Sequence, residues 1–452
     1  MPRSFCNTKR LAGLCGVALA ALLATGCDGQ QNDPDGRVLV RYWDKWSGSE
    51  AKAMQQVVDD FNASQDRIRV EYSSVSQINR KLMLAIGGGN PPDVAGLFGN
   101  TLAVYAENNA LTPLDKLAAE NGVTRDDYIG VFWDICNHRG RLWGLPSAPA
   151  SLALVWNKTL FREAGLDPDR PPQSISELEE YNDKLARRDE NGRLVGAGLL
   201  PSEPGWWPAI WGWWFGGDLW DGERITADSP ENIAAMEWIA SYPERFGARD
   251  LLSFRDGFGN FASPQNAFFT GRVAMVLQGP WIQNFIRDFA PPDFEWGAAP
   301  FPSSGPDDEG VTLVETDVLV IPAGAKHPRE AFEFIRYVNT QGPMEKLCIA
   351  QCKFSPLKEH SPDFLQRHPN PQIGTFLELA KSPHARFVPP LTFWVMYEND
   401  MKQAFGKVWT GAASPREALA EVQSRLQAEF ERRRARWDRV AAVLQEGWNK
   451  QP

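Results

Sequence analysis

The chain has 452 residues, with 47 Lys plus Arg against 57 Asp plus Glu and a formal net charge of −10. That length exceeds one ordinary core and suits two domains or lobes, while 43% hydrophobic and 23% charged residues exclude a disordered polyelectrolyte. The acidic balance argues against nucleic acid or anionic lipid as the main partner, because both demand clustered Lys and Arg. Five His leave little for a histidine metal centre, and 18 Trp are a surplus of flat apolar surface.

The first 26 residues read as an address to be set aside before the fold is considered. Arg3, Lys9 and Arg10 precede an apolar stretch, 11–24, too short to span a bilayer as a helix. It ends in Leu23-Ala24-Thr25-Gly26-Cys27, which resembles the lipobox of bacterial lipoprotein precursors, with Ala24 where leucine is usual. The resemblance implies cleavage before Cys27, a lipid on that cysteine and, with Asp28 behind it, retention on the periplasmic side of the inner membrane. Losing the leader's three positive charges takes the net charge from −10 to −13. Cys136, Cys348 and Cys352 remain, and sequence cannot choose which pair forms a bridge in an oxidising compartment. Polar residues 27–36 read as anchor and tether.

From 37 onward, short β-branched runs alternate with amphipathic stretches, the pattern of an α/β fold. Strands are expected over 37–43, 68–72 and 93–97, with helices over 77–86 and 101–109 between and after them. Ser47-x-x-Glu50 has the form of a capping box, with Met54, Val57, Val58 and Phe61 following at helical spacing. Later strands are expected over 142–145, 152–156, 273–277, 294–298 and 313–321. The C-terminal third reads as helical, 415–445 as one or two charge-rich helices. Gly87-Gly88-Gly89 follows a helix instead of preceding one, so it reads as a helix stop and not as a phosphate loop. The five His show no ligand spacing, and no metal or cofactor is expected.

Six segments in order resemble the extracellular solute-binding proteins of ABC sugar importers, the group that includes maltose-binding protein. They are WDKWSG at 43–48, LMLAIGGGNPPDVAGL at 82–97, YAENNALTPLD at 105–115, GRLWGLPSAPASLALVWNKTLFREAGLDP at 140–168, FFTGRVAMVLQGPW at 268–281 and VLVIPAGAKHPREAFEFIRYV at 318–338. The resemblance implies a type II periplasmic-binding fold, two α/β lobes joined by crossing segments with ligand held between them. On that pattern lobe one takes 37–147 and 271–321, and lobe two 148–270 and 322–452. It also implies a monomeric, non-enzymatic receptor that closes by a hinge on a sugar and delivers it to permease subunits.

Candidate ligand residues follow from chemistry and from this likeness. Sugar sites need aromatic faces for pyranose C–H surfaces, and amides and carboxylates for the hydroxyl rim; each stacked ring adds about 0.5–1.5 kcal/mol beyond burial. The Gly/Pro-punctuated run 203–222 supplies Trp206, Trp207, Trp211 and Trp213, of which some are expected to meet ligand and the rest to pack. Ligands bind beyond the carboxyl ends of strands in open α/β sheets, which selects Trp43, Asp44, Ser47, Gln77, Phe98 and Asn100. Gln278, Gly279 and Trp281 match the return-crossing element, the glycine admitting ligand to the backbone. Glu315 and Asp317, two apart on a strand, share a face. Arg386 and Trp394 are expected to complete the wall of the second lobe.

Two other readings stay open at this stage. The Glu315 and Asp317 pair could serve an exported glycoside hydrolase. The same fold could hold a polyamine, which needs carboxylates among aromatics. Iron is disfavoured by the small number of His and Tyr.

Overall fold

The computed structural model describes residues 35–305 and 309–450; the leader, Cys27 and nearly all of the tether lie outside them. The described residues form two large sheets, a two-stranded ladder of Asn137–His138 with Arg141–Leu142, and two cores. In the first sheet Val38–Asp44 runs parallel to Ile68–Ser74 on one side and to Val94–Phe98 on the other. Thr312–Val320 lies antiparallel to Val94–Phe98 and pairs on its far side with Gly144–Ser151. The second sheet runs in the order Trp296–Ala299, Ala153–Asn157, Val273–Gln278, Leu194–Leu199, Arg187–Arg188.

The strands sort differently from the expected division. Val273–Gln278 pairs antiparallel with Ala153–Asn157, and Trp296–Ala299 flanks the same strand, so both belong to the second lobe. Helices Pro328–Val338 and Gln341–Gln351 bury Phe332, Phe334, Ile335, Met344 and Leu347 in the first core, not the second. Runs such as VAMVLQ are apolar on both faces. Apolar runs of that kind announce a buried strand without saying which sheet it joins.

The lobes are linked where strands pass directly between sheets. Gly144–Ser151 ends one residue before Ala153–Asn157 begins, and the amide of Leu152 at this junction donates to Leu313 O and Thr312 Oγ1, both at 3.0 Å. The chain returns through Thr312–Val320, whose start packs in the second core and whose end packs in the first. It crosses again after Gln351, reaching the second core at Ile373–Lys381. The last crossing is one helix, Pro415–Asn449, opened by a capping box of Ser414 and Glu417. Leu419, Val422 and Leu426 of this helix sit in the second core and Trp448 in the first.

The capping box expected at Ser47 does not form: the helix Gly48–Ser64 starts without a side-chain cap, and Glu50 reaches instead for Lys353 at 3.4 Å. The three described cysteines are free and buried, and burial pushes each thiol well above its usual pKa. Among the described residues no helix is long and apolar enough to cross a membrane.

Candidate functional site: a cleft between the lobes

A cleft of about 660 Å³ opens where the strand ends of the two lobes face each other, within the roughly 300–1,000 Å³ usual for small-molecule sites. The first lobe contributes Trp46, Glu50, Phe98, Asn100, Asp317 and Lys353; the second contributes Trp206, Trp281, Asn284, Phe285 and Asp288. Glu315 lies between them on the returning strand. The lobes touch at the rim, where the buried Nδ2 of Asn284 donates to Gln351 O at 3.1 Å.

Charge is concentrated on the first-lobe wall. Asp317 Oδ1 lies 2.9 Å from Lys45 Nζ, and its Oδ2 lies 3.5 Å from Lys353 Nζ and accepts from Trp46 Nε1 at 3.0 Å. Lys353 also meets Glu50, and both ammonium groups stand 4.5 Å from the centre of the Trp46 ring. A buried charge is costly unless paired, and each ammonium here faces a carboxylate, Lys45 meeting Asp317 and Lys353 meeting both Asp317 and Glu50, although Lys45 Nζ makes no well-aligned hydrogen bond among the described residues. Burial disfavours the charged form of Lys353, but Asp317 and Glu50 more than offset it and hold the ammonium above its usual pKa. Lys353 is aimed here by Cys352, whose left-handed φ of 56° ends the helix Gln341–Gln351.

Glu315 is the contrast. No hydrogen bond to its carboxyl forms among the described residues. Burial, then Asp317 and Glu398, push it up to about 7 against a smaller opposing pull from Lys353. An acceptor with unused lone pairs in a cleft is available to ligand hydroxyls.

Six of the expected residues therefore line the cleft: Phe98, Asn100, Trp206, Trp281, Glu315 and Asp317. The others lie behind or away from it. Asp44 is 2% exposed and spent internally, accepting from Tyr42 Oη and from the Lys45 amide at 2.6 Å. Its carboxylate fills the space opposite Gly96, where an added Cβ would stand 2.5 Å from Asp44 Cγ. Trp43 packs against the first core, and it is Trp46 that turns to the cleft. Ser47 and Gln77 sit exposed at helix starts, outside the lining. Trp211, Trp213 and Trp394 are core residues, each under 5% exposed. Trp207 donates to Leu277 O at 3.2 Å and backs Trp281. Gln278, fully buried, accepts from Trp281 Nε1 at 3.0 Å. Gly279 leaves room for the Trp281 ring, since a Cβ there would approach it to 2.5 Å. Its absent side chain thus admits the indole, where backbone access for ligand was expected. Arg386 donates to Gly217 O at 2.7 Å, and its neighbours Phe387 and Val388 reach the cleft instead.

Sequence reasoning missed Trp46, Lys45, Glu50, Lys353, Asn284 and Asp288. A usable signal existed at Lys353, a cation set in the apolar run Cys352-Lys353-Phe354 that demands a buried partner. Among the described residues no group of three or more His, Cys, Asp or Glu could hold a metal ion.

With this geometry in view, the relatives are informative. The family model of bacterial extracellular solute-binding proteins matches residues 46–345. An ABC transporter extracellular-binding protein of Pyrococcus horikoshii is 23% identical over 419 residues, spanning 84% of this chain and 86% of the relative. The multiple sugar-binding protein of Streptococcus mutans is 22% identical over 362 residues, 74% of this chain and 79% of that one. The solved structure of CpMnBP1 with mannotriose bound superposes with a TM-score of 0.74 at 25% identity, covering 86% of this chain and 99% of its own. A match from residue 46 to residue 345, well over half of the 452 positions, makes this chain a member of the bacterial extracellular solute-binding protein family.

Proposed function

We propose that the protein captures a sugar or short oligosaccharide between its lobes and presents it to the permease of an ABC importer. One observation carries this reading. The cleft sets Trp206 and Trp281 of one lobe across from Trp46 and Phe98 of the other, with Glu315, Asn100 and Asn284 at hydrogen-bonding edges. Aromatic faces with a polar rim are what a pyranose requires, and neither lobe supplies the full set alone. The relatives named for multiple sugars and solved with mannotriose support the same ligand class. Ligand first held by one lobe favours closure because the closed state adds contacts from the other, and that difference in affinity drives the shift.

A hydrolase reading needs two carboxyl groups free to act on the glycosidic bond. Glu315 is free, but the Asp317 oxygens are covered by Lys45, Lys353 and Trp46. Binding without turnover is the better account. The expected lipid on Cys27 is part of this proposal: a Cys27→Ser protein should leave the membrane fraction, and its continued partition there would contradict the anchor.

Thermal shift against mono- and oligosaccharides and spermidine tests the ligand class. A specific sugar at a hundredfold excess over its Kd stabilises by about 2.7 kcal/mol. A response to spermidine with silence across the sugars contradicts the proposal.

A further inference from the structure

Trp206 belongs to two cavities. Besides the cleft, it walls a recess of about 430 Å³ built from two stretches of the second lobe, 203–206 and 252–261. Because a single lobe makes it, the recess exists whether or not the lobes close.

Its walls are mostly polar, and Trp206 is the ring most exposed to it. Trp206, Phe258 and Phe261 meet Glu203, Arg255, Asp256 and Asn260. The rings continue towards the cleft in an unbroken row: Phe261 to Trp206 is 5.0 Å between centroids, Trp206 to Trp207 is 6.2 Å, and Trp207 to Trp281 is 6.4 Å. Trp206 keeps 40% of its surface exposed, enough to offer ring surface to the recess as well as to the cleft. The polar groups are underused. Among the described residues Arg255 Nε is buried without an acceptor, and Glu203 has one ionic partner, Arg255, at 3.6 Å. Glu203 and Asp256 on the lining disfavour an anion, and Arg255, paired with Glu203, disfavours a polycation. An apolar guest would leave the charged groups without partners. A neutral polyhydroxylated group suits them, stacking on Trp206 and exchanging hydrogen bonds with the polar walls.

We propose that this recess is an outer subsite for the further units of an oligosaccharide whose first units occupy the cleft, with Trp206 shared by both. This rests on the sugar reading above and narrows it to chains longer than the cleft alone can hold.

Isothermal titration of the full chain with maltooligosaccharides and β-1,4-mannooligosaccharides of increasing length tests it. In the series that binds, affinity should climb about tenfold once the chain passes the cleft, as one stacked ring and a few hydrogen bonds would give. The double variant Glu203→Gln with Arg255→Gln, which leaves no unpaired charge, should lose that gain and leave the shortest bound sugar within about twofold of wild type. Asp256→Ala, at an exposed position, should reduce the gain in part and serves if the double variant does not fold. Binding that is independent of length, or variants that weaken short and long chains alike, would overturn the subsite while leaving the sugar reading intact. No binding of any sugar would overturn both.

Discussion

Lys45 and Asp317, far apart in sequence, meet at 2.9 Å on the cleft wall, with side chains 7% and 9% exposed. Their contact ties the loop after the first strand to the returning strand, and Lys353 closes the ring from a third element. Breaking such a buried set by removing one partner costs about 3–5 kcal/mol, because a charge is left uncompensated. Asp317→Asn should therefore destabilise the protein by about 3 kcal/mol, moderated by the contacts of Lys45 with Asp44 and of Lys353 with Glu50. Urea unfolding with an unchanged m-value would show it. A stability equal to wild type would mean the ring is worth nothing.

Glu315 predicts a pH signature. Its carboxyl is raised from 4.5 to about 7, so between those values the folded protein holds a proton that the unfolded chain has released. Stability attributable to this group falls as pH rises through that window, and the penalty is complete above it. Glu315→Gln should be more stable than wild type at pH 8, by on the order of 1–3 kcal/mol, with the difference vanishing near pH 4. Hydroxyls donating to the carboxylate favour its charged form. Wild-type affinity should accordingly rise between pH 6 and pH 8 with release of a proton, and the Gln variant should show neither effect. Titration calorimetry in buffers of different ionisation enthalpy reads both.

The tryptophans separate by role. Trp214 is fully buried and donates to Val311 O at 3.0 Å, so Trp214→Ala should cost about 3–5 kcal/mol of stability. Trp281→Ala, on the cleft wall, should weaken ligand binding about tenfold through the lost stacking and apolar contact, with a smaller loss of stability. Equal effects of the two on binding would contradict the division into core and lining.

Much of this was legible in the residues. The strands at 37–43, 68–72 and 93–97 match observed ones within a few positions, because their β-branched runs are short and bounded by turns. The cleft was legible where a residue directly follows a strand of the first sheet, as with Phe98 and Asn100. It was illegible at Asp44, whose burial depends on Gly96 of the neighbouring strand, and at Trp211, which a short run of 3-10 helix turns into the core. The lobe boundaries failed for a related reason. Val273–Gln278 is apolar on both faces, and its partner strand is set by pairing that local sequence does not carry.

The C-terminal helix should act as a strut. It packs in the second core at one end, while near its other end Trp448 stands edge-on to Trp143 at 4.7 Å and donates to Asn109 at 3.1 Å. Trp448→Ala should cost about 3 kcal/mol. It should also increase the radius of gyration of the unliganded protein in X-ray scattering, leaving that of the liganded form unchanged. An unaltered unliganded radius would remove the strut.

The central claim is that this chain binds sugar between its lobes without converting it. Calorimetric titration of the purified protein with maltotriose and mannotriose, followed by chromatography of the recovered ligand, tests it most directly. Saturable binding of at least one of them is expected at one ligand per chain, weakened about tenfold in Trp281→Ala, with the sugar recovered intact. Absence of binding to either, or recovery of shorter sugars, would contradict it.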